Sequence, residues 1–290
     1  MIQRMAADYT VRELCHAYDV SRHGYDQWRH RQGHDRQAGD NRLVVEIKAI
    51  FKKSRCSYGV PKMTQALRKK GYVVNHKRVA RLMQTHGIQG RKRRAYKPRT
   101  TDSNHNGPIA PNRLAQVKHQ LTGPDQAWVS DITYIPTREG WLYLATVMDL
   151  FSRRIVGWSC STSLRSELVN LAFVRALRHR QPSPGLISHS DRGVQYAAAS
   201  HRRLLEAYGV VQSMSRKGNC YDNAAAEAFF SLLKAETLPE SGSFKSRKEA
   251  FAELFKYIET EYNRTRIHSS LGYVSPVDFE IQYAKLHEIA

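Results

Sequence analysis

Cysteine is scarce: Cys15, Cys56, Cys160 and Cys220 are the 4 cysteines among 290 residues. None forms a Cys-x-x-Cys pair, so neither a disulfide framework nor a zinc ribbon is indicated. Long apolar runs are also missing. No stretch approaches the roughly 18 residues that a membrane span needs. The amino end has no apolar signal-peptide core, so an intracellular, cytoplasmic protein is expected, associated with the nucleoid when DNA-bound. Sustained heptads are absent from residues 1–40. Acidic residues are few at the front. Residues 1–126 hold 26 Lys and Arg against 9 Asp and Glu, whereas residues 127–290 hold 20 against 17. Most of the formal charge of +20 is therefore carried by the front half. A basic front joined to a near-neutral rear reads as a nucleic-acid grip attached to a unit with its own chemistry. A basic surface kept only for solubility would not be confined to one half.

The rear holds three acids with distinctive surroundings. Asp131 sits among Trp128, Val129, Ile132, Tyr134 and Ile135, a β-branched and aromatic run that predicts a strand. A carboxylate inside a buried strand is costly unless something binds it. Asp191 follows Leu186 and Ile187 and precedes Gly193, which places it at the carboxyl end of a strand, where α/β sheets bind ligands. Glu227 lies in Asn223-Ala-Ala-Ala-Glu-Ala-Phe-Phe230, an Ala-rich stretch without Gly or Pro that predicts a helix. Taken singly, the three read equally well as a cap, a turn residue and a solvated helix residue. Converging, they would repel unless a cation neutralised them. Hard oxygen ligands point to Mg²⁺ or Mn²⁺, and a pair of such ions serves phosphodiester cleavage and transfer.

Longer strings surround these acids: Trp128-Val-Ser-Asp-Ile-Thr-Tyr-Ile135, His189-Ser-Asp-Arg-Gly-Val-Gln-Tyr196, Ser215-Arg-Lys-Gly-Asn-Cys-Tyr-Asp-Asn-Ala224 and Tyr262-Asn-Arg-Thr-Arg-Ile-His-Ser-Ser-Leu-Gly-Tyr273. Asp191 and Glu227 are separated by 35 residues. In these features the segment from about 120 to 285 resembles the catalytic core of DDE transposases and retroviral integrases, in particular the IS3 family of insertion sequences. The resemblance implies a DNA transposase with two metal ions per site. Asp131 would bridge both ions, Asp191 would bind one and Glu227 the other. Water would release a 3′-OH at the element's end, and that 3′-OH would attack a second phosphodiester, with no covalent protein–DNA intermediate. The family joins its own ends into a circle first and works as a homo-multimer that synapses two ends. Double-stranded DNA, both terminal inverted repeats and target, is the expected partner. The His/Cys zinc module of retroviral integrases has no counterpart in this spacing. In the IS3 family this frame is commonly fused to an upstream one carrying a terminal-repeat reader and a leucine zipper, so an upstream-frame partner is also expected.

Residues 1–40 predict a helix–turn–helix-like segment. A helix carries Leu14 and Ala17 on one face, Tyr18-Asp-Val20 turns, and Ser21 caps a second helix. Early residues of such a second helix can reach base edges, which makes Arg22, His23 and Gln27 candidates; a packing hairpin is the alternative. Residues 32–41 read as a polar linker. Residues 41–90 predict a second helix–turn–helix-like domain, with Pro61 opening one helix, Gly71 ending it, and Asn75 capping the next. Lys77, Arg78 and Arg81 are its exposed DNA candidates. Residues 91–126 read as a basic linker whose Arg91, Lys92, Arg93 and Arg94 suit a phosphate backbone.

Residues 127–290 predict an α/β, ribonuclease-H-like core with a mixed sheet: strands at 127–136, 141–150 and 154–161, a helix at 166–180, a strand at 186–190, a helix at 198–208 and a strand at 210–214. The first and fourth strands should be neighbours. Lys234, seven residues after Glu227 and nearly on its face, is a DNA candidate, as are Arg216, Lys217 and Asn223. His189 suits either a supporting role beside Asp191 or a packed core position. Trp141, Trp158, Phe229 and Phe230 read as core. Two rivals to the transposase are a catalytically inactive DNA-binding regulator and a ribonuclease-H-like nuclease. The complete set of acids counts against the first, and the basic helical front counts against the second.

Overall fold

The computed structural model describes residues 2–32, 36–90, 107–216 and 223–288. Arg91, Lys92, Arg93, Arg94 and Lys217 lie outside the described residues. The front is helical: α1 (Ile2–Met5), α2 (Val11–Ala17), α3 (Arg22–Gln32), α4 (Arg36–Lys53), α5 (Val60–Lys69) and α6 (His76–Thr85). Thr10 and Glu13 form a capping box at the start of α2, and Ser21 Oγ accepts the Gly24 amide at 3.0 Å. Leu14 and Cys15 are the buried residues of α2, while Ala17 is exposed. Asn75 caps α6 by accepting the Lys77 amide at 2.9 Å. The supposed linker 32–41 is helical from Arg36 onward. Its polarity is accounted for by Asp40, which bonds Arg78 Nε at 2.8 Å and Arg81 Nη2 at 2.5 Å.

After α7 (Leu114–Val117) comes the sheet. β1 (Ala127–Thr137), β2 (Gly140–Asp149) and β3 (Ile155–Ser161) are antiparallel neighbours. α8 (Ser166–Arg180) leads to β4 (Ile187–Ser190), then α9 (Val194–Ala197), α10 (Ala199–Ala207) and β5 (Val211–Met214). β4 pairs parallel with β1 and with β5, giving the order β3-β2-β1-β4-β5. The order is the expected ribonuclease-H-like one. It follows from the short β1–β2 and β2–β3 connections, which force antiparallel pairing, and from helical crossovers later, which permit parallel pairing. The tight β2–β3 turn is held by buried Asp149, whose carboxylate accepts the Ser152 amide at 2.7 Å and the Ser152 hydroxyl at 2.8 Å.

α11 (Ala224–Thr237), α12 (Arg247–Phe255), a π-helical continuation (Lys256–Tyr262) and α13 (Pro276–Glu288) complete the chain. One face of the sheet packs Val129, Ile135, Leu142 and Leu144 against Phe229, Phe230, Leu233, Leu254 and Tyr257. The other packs Trp128, Val147 and Val156 against Phe173 of α8 and Leu205 of α10. Trp158, Phe229 and Phe230 are buried, but Trp141 is 48% exposed. It lies opposite Pro136 near the open tip of the β1–β2 hairpin, where it meets only the edge of Tyr134 among described aromatic rings. Among the described residues no helix is long and apolar enough to cross a membrane.

α8 crosses β3 at Gly157. A Cβ there would lie 2.3 Å from the Ala172 carbonyl oxygen and 2.7 Å from Ala176 Cβ. Neither neighbour can yield without moving the helix off the sheet. Gly157→Ala should cost about 3 kcal/mol, read as a lowered urea midpoint at unchanged slope.

Candidate active site

The parallel ladder decides where two of the acids stand. Ser130 pairs with Ser190, so Asp131 and Asp191 are the next residues of adjacent strands. Alternation along β1 puts Asp131 on the side of Val129 and Ile135, the side covered by α11. Asp131 is half-buried and accepts its neighbour Ile132's amide at 2.8 Å. Burial, then the Asp191 charge, pushes its carboxyl well above the usual range; the Ile132 amide opposes this, Glu227 adds to it and Lys234 relieves it. Asp191 Oδ1 accepts the Gly193 amide at 2.9 Å. A Cβ at Gly193 would lie 3.0 Å from that oxygen, so a side chain there would press on the Asp191 carboxylate.

Glu227 is exposed on the first turn of α11, where the helix dipole favours an anion. Asp131 feels it less than it feels Asp191. Among the described residues no three His, Cys, Asp or Glu side chains stand close enough to hold an ion as they are. The donor chemistry nevertheless fits a hard divalent cation. Two carboxylates meet with a repulsion that a cation relieves. In addition, Tyr196 Oη, which feels both aspartates, and Asn223 Oδ1, at the start of the helix bearing Glu227, are buried without a hydrogen-bond partner. Buried orphaned oxygens of this kind ask for a missing ligand or ion.

Lys234 is partly buried on α11; burial lowers its pKa and Asp131 raises it, so it stands within electrostatic reach of the acids. Asn223 occupies the N-cap position of α11 without making a side-chain cap. Arg216 is exposed at the end of the described β5 segment. His189 is a packed histidine: its ring nitrogens bond Ser213 Oγ at 2.9 Å and Ser215 Oγ at 3.0 Å on the neighbouring segment. Sequence reasoning missed Tyr196. Its ring is fully buried on α9, and burial followed by the Asp131 and Asp191 charges raises its hydroxyl's pKa. Its only signal was a place in the string that follows Asp191.

The front candidates are distributed over two helical units. On α3, Arg22 is exposed with Asp26 at 3.9 Å, and Gln27 bonds His23 at 3.0 Å. On α6, Lys77 is exposed, while Arg78 and Arg81 share Asp40. Among the described hydrogen bonds and ion pairs, none joins these residues to the acids.

Comparison with known proteins places these parts. Residues 122–220 and 227–283 match families described as "Integrase core domain", and residues 38–96 match an "HTH-like domain". The insertion element IS600 31 kDa protein of Shigella sonnei is 42% identical, over 94% of this chain and 99% of its own. The InsF transposase of insertion sequence IS3A from Escherichia coli is 38% identical, over 96% of each chain. Among solved structures, the HTLV-2 integrase catalytic core domain in complex with magnesium is 15% identical. That match covers 55% of this chain and 98% of that one, with a TM-score of 0.41. The extent and identity of the insertion-sequence matches establish that the chain belongs to the IS3 family of insertion-sequence transposases.

Proposed function

We propose that Asp131, Asp191 and Glu227 form the reacting centre of this transposase, acting on the ends of an insertion sequence. The observation that carries the reading is the meeting of Asp131 and Asp191 on adjacent parallel strands, with Glu227 and Lys234 of one helix within electrostatic reach of Asp131. The three acids would hold two Mg²⁺ or Mn²⁺ ions, which when bound lower the pKa of the attacking oxygen and offset charge on the phosphate. Asp131, which feels the charges of both Asp191 and Glu227, would serve both ions. Lys234, together with the adjacent pair Arg216 and Lys217, would hold the DNA strand by its phosphates. Asn223 Oδ1, unpartnered, would position the strand or a ligand at the start of α11. The burial of Asp131 and Tyr196 keeps bulk water from one side of the centre.

The attacking oxygen, first of water and then of the freed 3′-OH, gives up its proton and bonds to phosphorus as the opposite P–O bond breaks. The leaving oxygen departs with the electron pair and takes up a proton. No protein nucleophile takes part. Lys77, and Arg78 and Arg81 after exchanging Asp40 for phosphate, would grip the terminal repeat; Arg22 and Gln27 on α3 and the run Arg91, Lys92, Arg93 and Arg94 would extend that grip. A homo-multimer would bring two ends together, with an upstream-frame partner aiding end recognition.

The test is a labelled terminal-repeat duplex incubated with supercoiled plasmid and Mg²⁺. Joined product is expected, together with an untouched RNA–DNA hybrid. Degradation of the hybrid without joining would make the protein a nuclease, and binding without any reaction, even with the upstream frame supplied, would make it a regulator. Metal binding has its own readout. Mg²⁺ at about 100 times its dissociation constant should stabilise the protein by about 2.7 kcal/mol, seen as a higher melting temperature than in EDTA. Asp131→Asn removes one of two repelling carboxylates. It should raise the melting temperature in EDTA and abolish the rise caused by Mg²⁺.

A further inference from the structure

The helical front does not merely precede the core; it is docked on it. The contact centres on Arg55, in the turn between α4 and α5. Its guanidinium bonds Glu253 of α12 and both oxygens of Glu261 in the π-helical segment, with Nη2 to Glu261 Oε1 at 2.7 Å. Arg55 Nη1 also donates to the Glu236 backbone oxygen at 3.2 Å. That carbonyl is among the last of α11, which have no intrahelical partner and carry the negative end of the helix dipole. Burial works against the Arg55 charge, but its bonds to Glu261 and Glu253 outweigh it and raise its pKa.

Two independent features show that the turn is built for this contact. Arg55 and Cys56 both adopt left-handed backbone angles, φ +55° and +57°. Consecutive non-glycine residues in that region are disfavoured and persist only where surrounding contacts hold them. Secondly, Tyr58 Oη accepts the Ile267 amide at 3.0 Å, and Ile267 is buried in the hydrophobic core of the α4–α6 unit. The front unit thus completes its core with a residue of the rear.

The far side of the contact reaches the candidate active site along one helix. Glu236 is nine residues after Glu227 on α11, about 13–14 Å along the axis. Its side chain is buried and paired with Arg266, Nη2 to Oε1 at 2.6 Å, and it accepts the Tyr257 hydroxyl at 2.8 Å. A displacement of the front unit would therefore be felt by the helix bearing Glu227 and Lys234.

We propose that Arg55 is a docking latch, a positioning residue that fixes the α4–α6 unit against α11, α12 and the π-helical segment, and so sets where a DNA end held by that unit lies relative to Asp131, Asp191 and Glu227. The inference rests on the transposase reading for its DNA end, but the docking itself does not. It requires that the latch act through its protein partners and not by touching DNA.

The full chain is compared with Arg55→Ala and with the double variant Glu253→Gln and Glu261→Gln, which removes the latch's partners without removing any basic residue. Three quantities are read: affinity for a labelled terminal-repeat duplex, hydrogen exchange of the Ile267 amide, and the yield and position of joined ends by sequencing. Both variants should bind the duplex within about threefold of wild type, as expected if phosphate contacts set affinity. Exchange at Ile267 should accelerate at least about tenfold. Joined product should fall about 10–100-fold and its cut positions should scatter, because misplacement by about 1 Å can cost that much. Unchanged exchange at Ile267 overturns the latch. Faster exchange with wild-type yield and a single cut position overturns its role in positioning. Loss of joining in Arg55→Ala alone, with the double variant normal, makes Arg55 a DNA contact and overturns the proposal. If the wild type joins no ends, the transposase reading fails instead, and exchange at Ile267 alone supports or overturns the latch.

Discussion

Glu227→Gln is expected to leave the protein folded and bound to its terminal repeat while lowering end joining by about 10³-fold or more. The substitution keeps the size of the side chain and removes its charge. Glu227 is exposed on the first turn of α11 and is not among that helix's buried residues. Loss of an anion near the helix amino end costs only about 0.3–1 kcal/mol, so stability should hardly change. The effect should therefore fall on the reaction: affinity for DNA within a few-fold of wild type by fluorescence anisotropy, product nearly absent by gel. Equal loss of affinity and product would place Glu227 in DNA binding instead. Joining that survives the substitution would remove it from the site.

Arg266→Met should cause one of the largest stability losses available in this chain, about 3–5 kcal/mol, the usual result of stripping one partner from a buried ion pair. Arg266 and Glu236 are 7% and 6% exposed. Their guanidinium and carboxylate make three hydrogen bonds, at 2.6, 3.0 and 3.2 Å. With the methionine in place, Glu236 keeps the Tyr257 hydroxyl but loses its countercharge inside the protein. Urea denaturation reads the cost. Adding Glu236→Gln to Arg266→Met should recover part of it, because the uncompensated charge is then gone. If Arg266→Met alone proves neutral, the pair is not buried in solution.

The core was legible because its signals are local and repetitive. Alternation and β-branched composition located β1, β2 and β3 within a residue or two, and short connections against helical crossovers made β1 and β4 neighbours. That pairing alone brings Asp131 beside Asp191. What escaped the sequence depends on tertiary partners. The polar stretch before α4 reads as a linker until Asp40 is seen between Arg78 and Arg81. Arg266 carries no signal of burial in the sequence, but a buried Glu236 draws it inside. Trp141 has strand composition around it and reads as core, yet it lies near the tip of the β1–β2 hairpin and stays exposed. Tyr196 and Arg55 belong to no periodic pattern, and their importance comes from what other segments place next to them. Glu227 is intermediate: its helix was legible, whereas its distance from the aspartates depends on how α11 crosses the sheet.

If carboxylates on β1, at the end of β4 and on α11 direct an in-line attack of one DNA oxygen on phosphorus, with no bond between protein and DNA, the configuration at phosphorus records it. The most direct measurement uses a target phosphodiester carrying sulfur in one known configuration, joined by the wild-type protein in Mg²⁺ to a terminal-repeat 3′-OH. A single in-line displacement inverts phosphorus, so the joined product should carry the inverted configuration. Retention, the result of two successive displacements, would mean that a covalent protein–DNA intermediate forms and that the acids do not act by a single direct transfer.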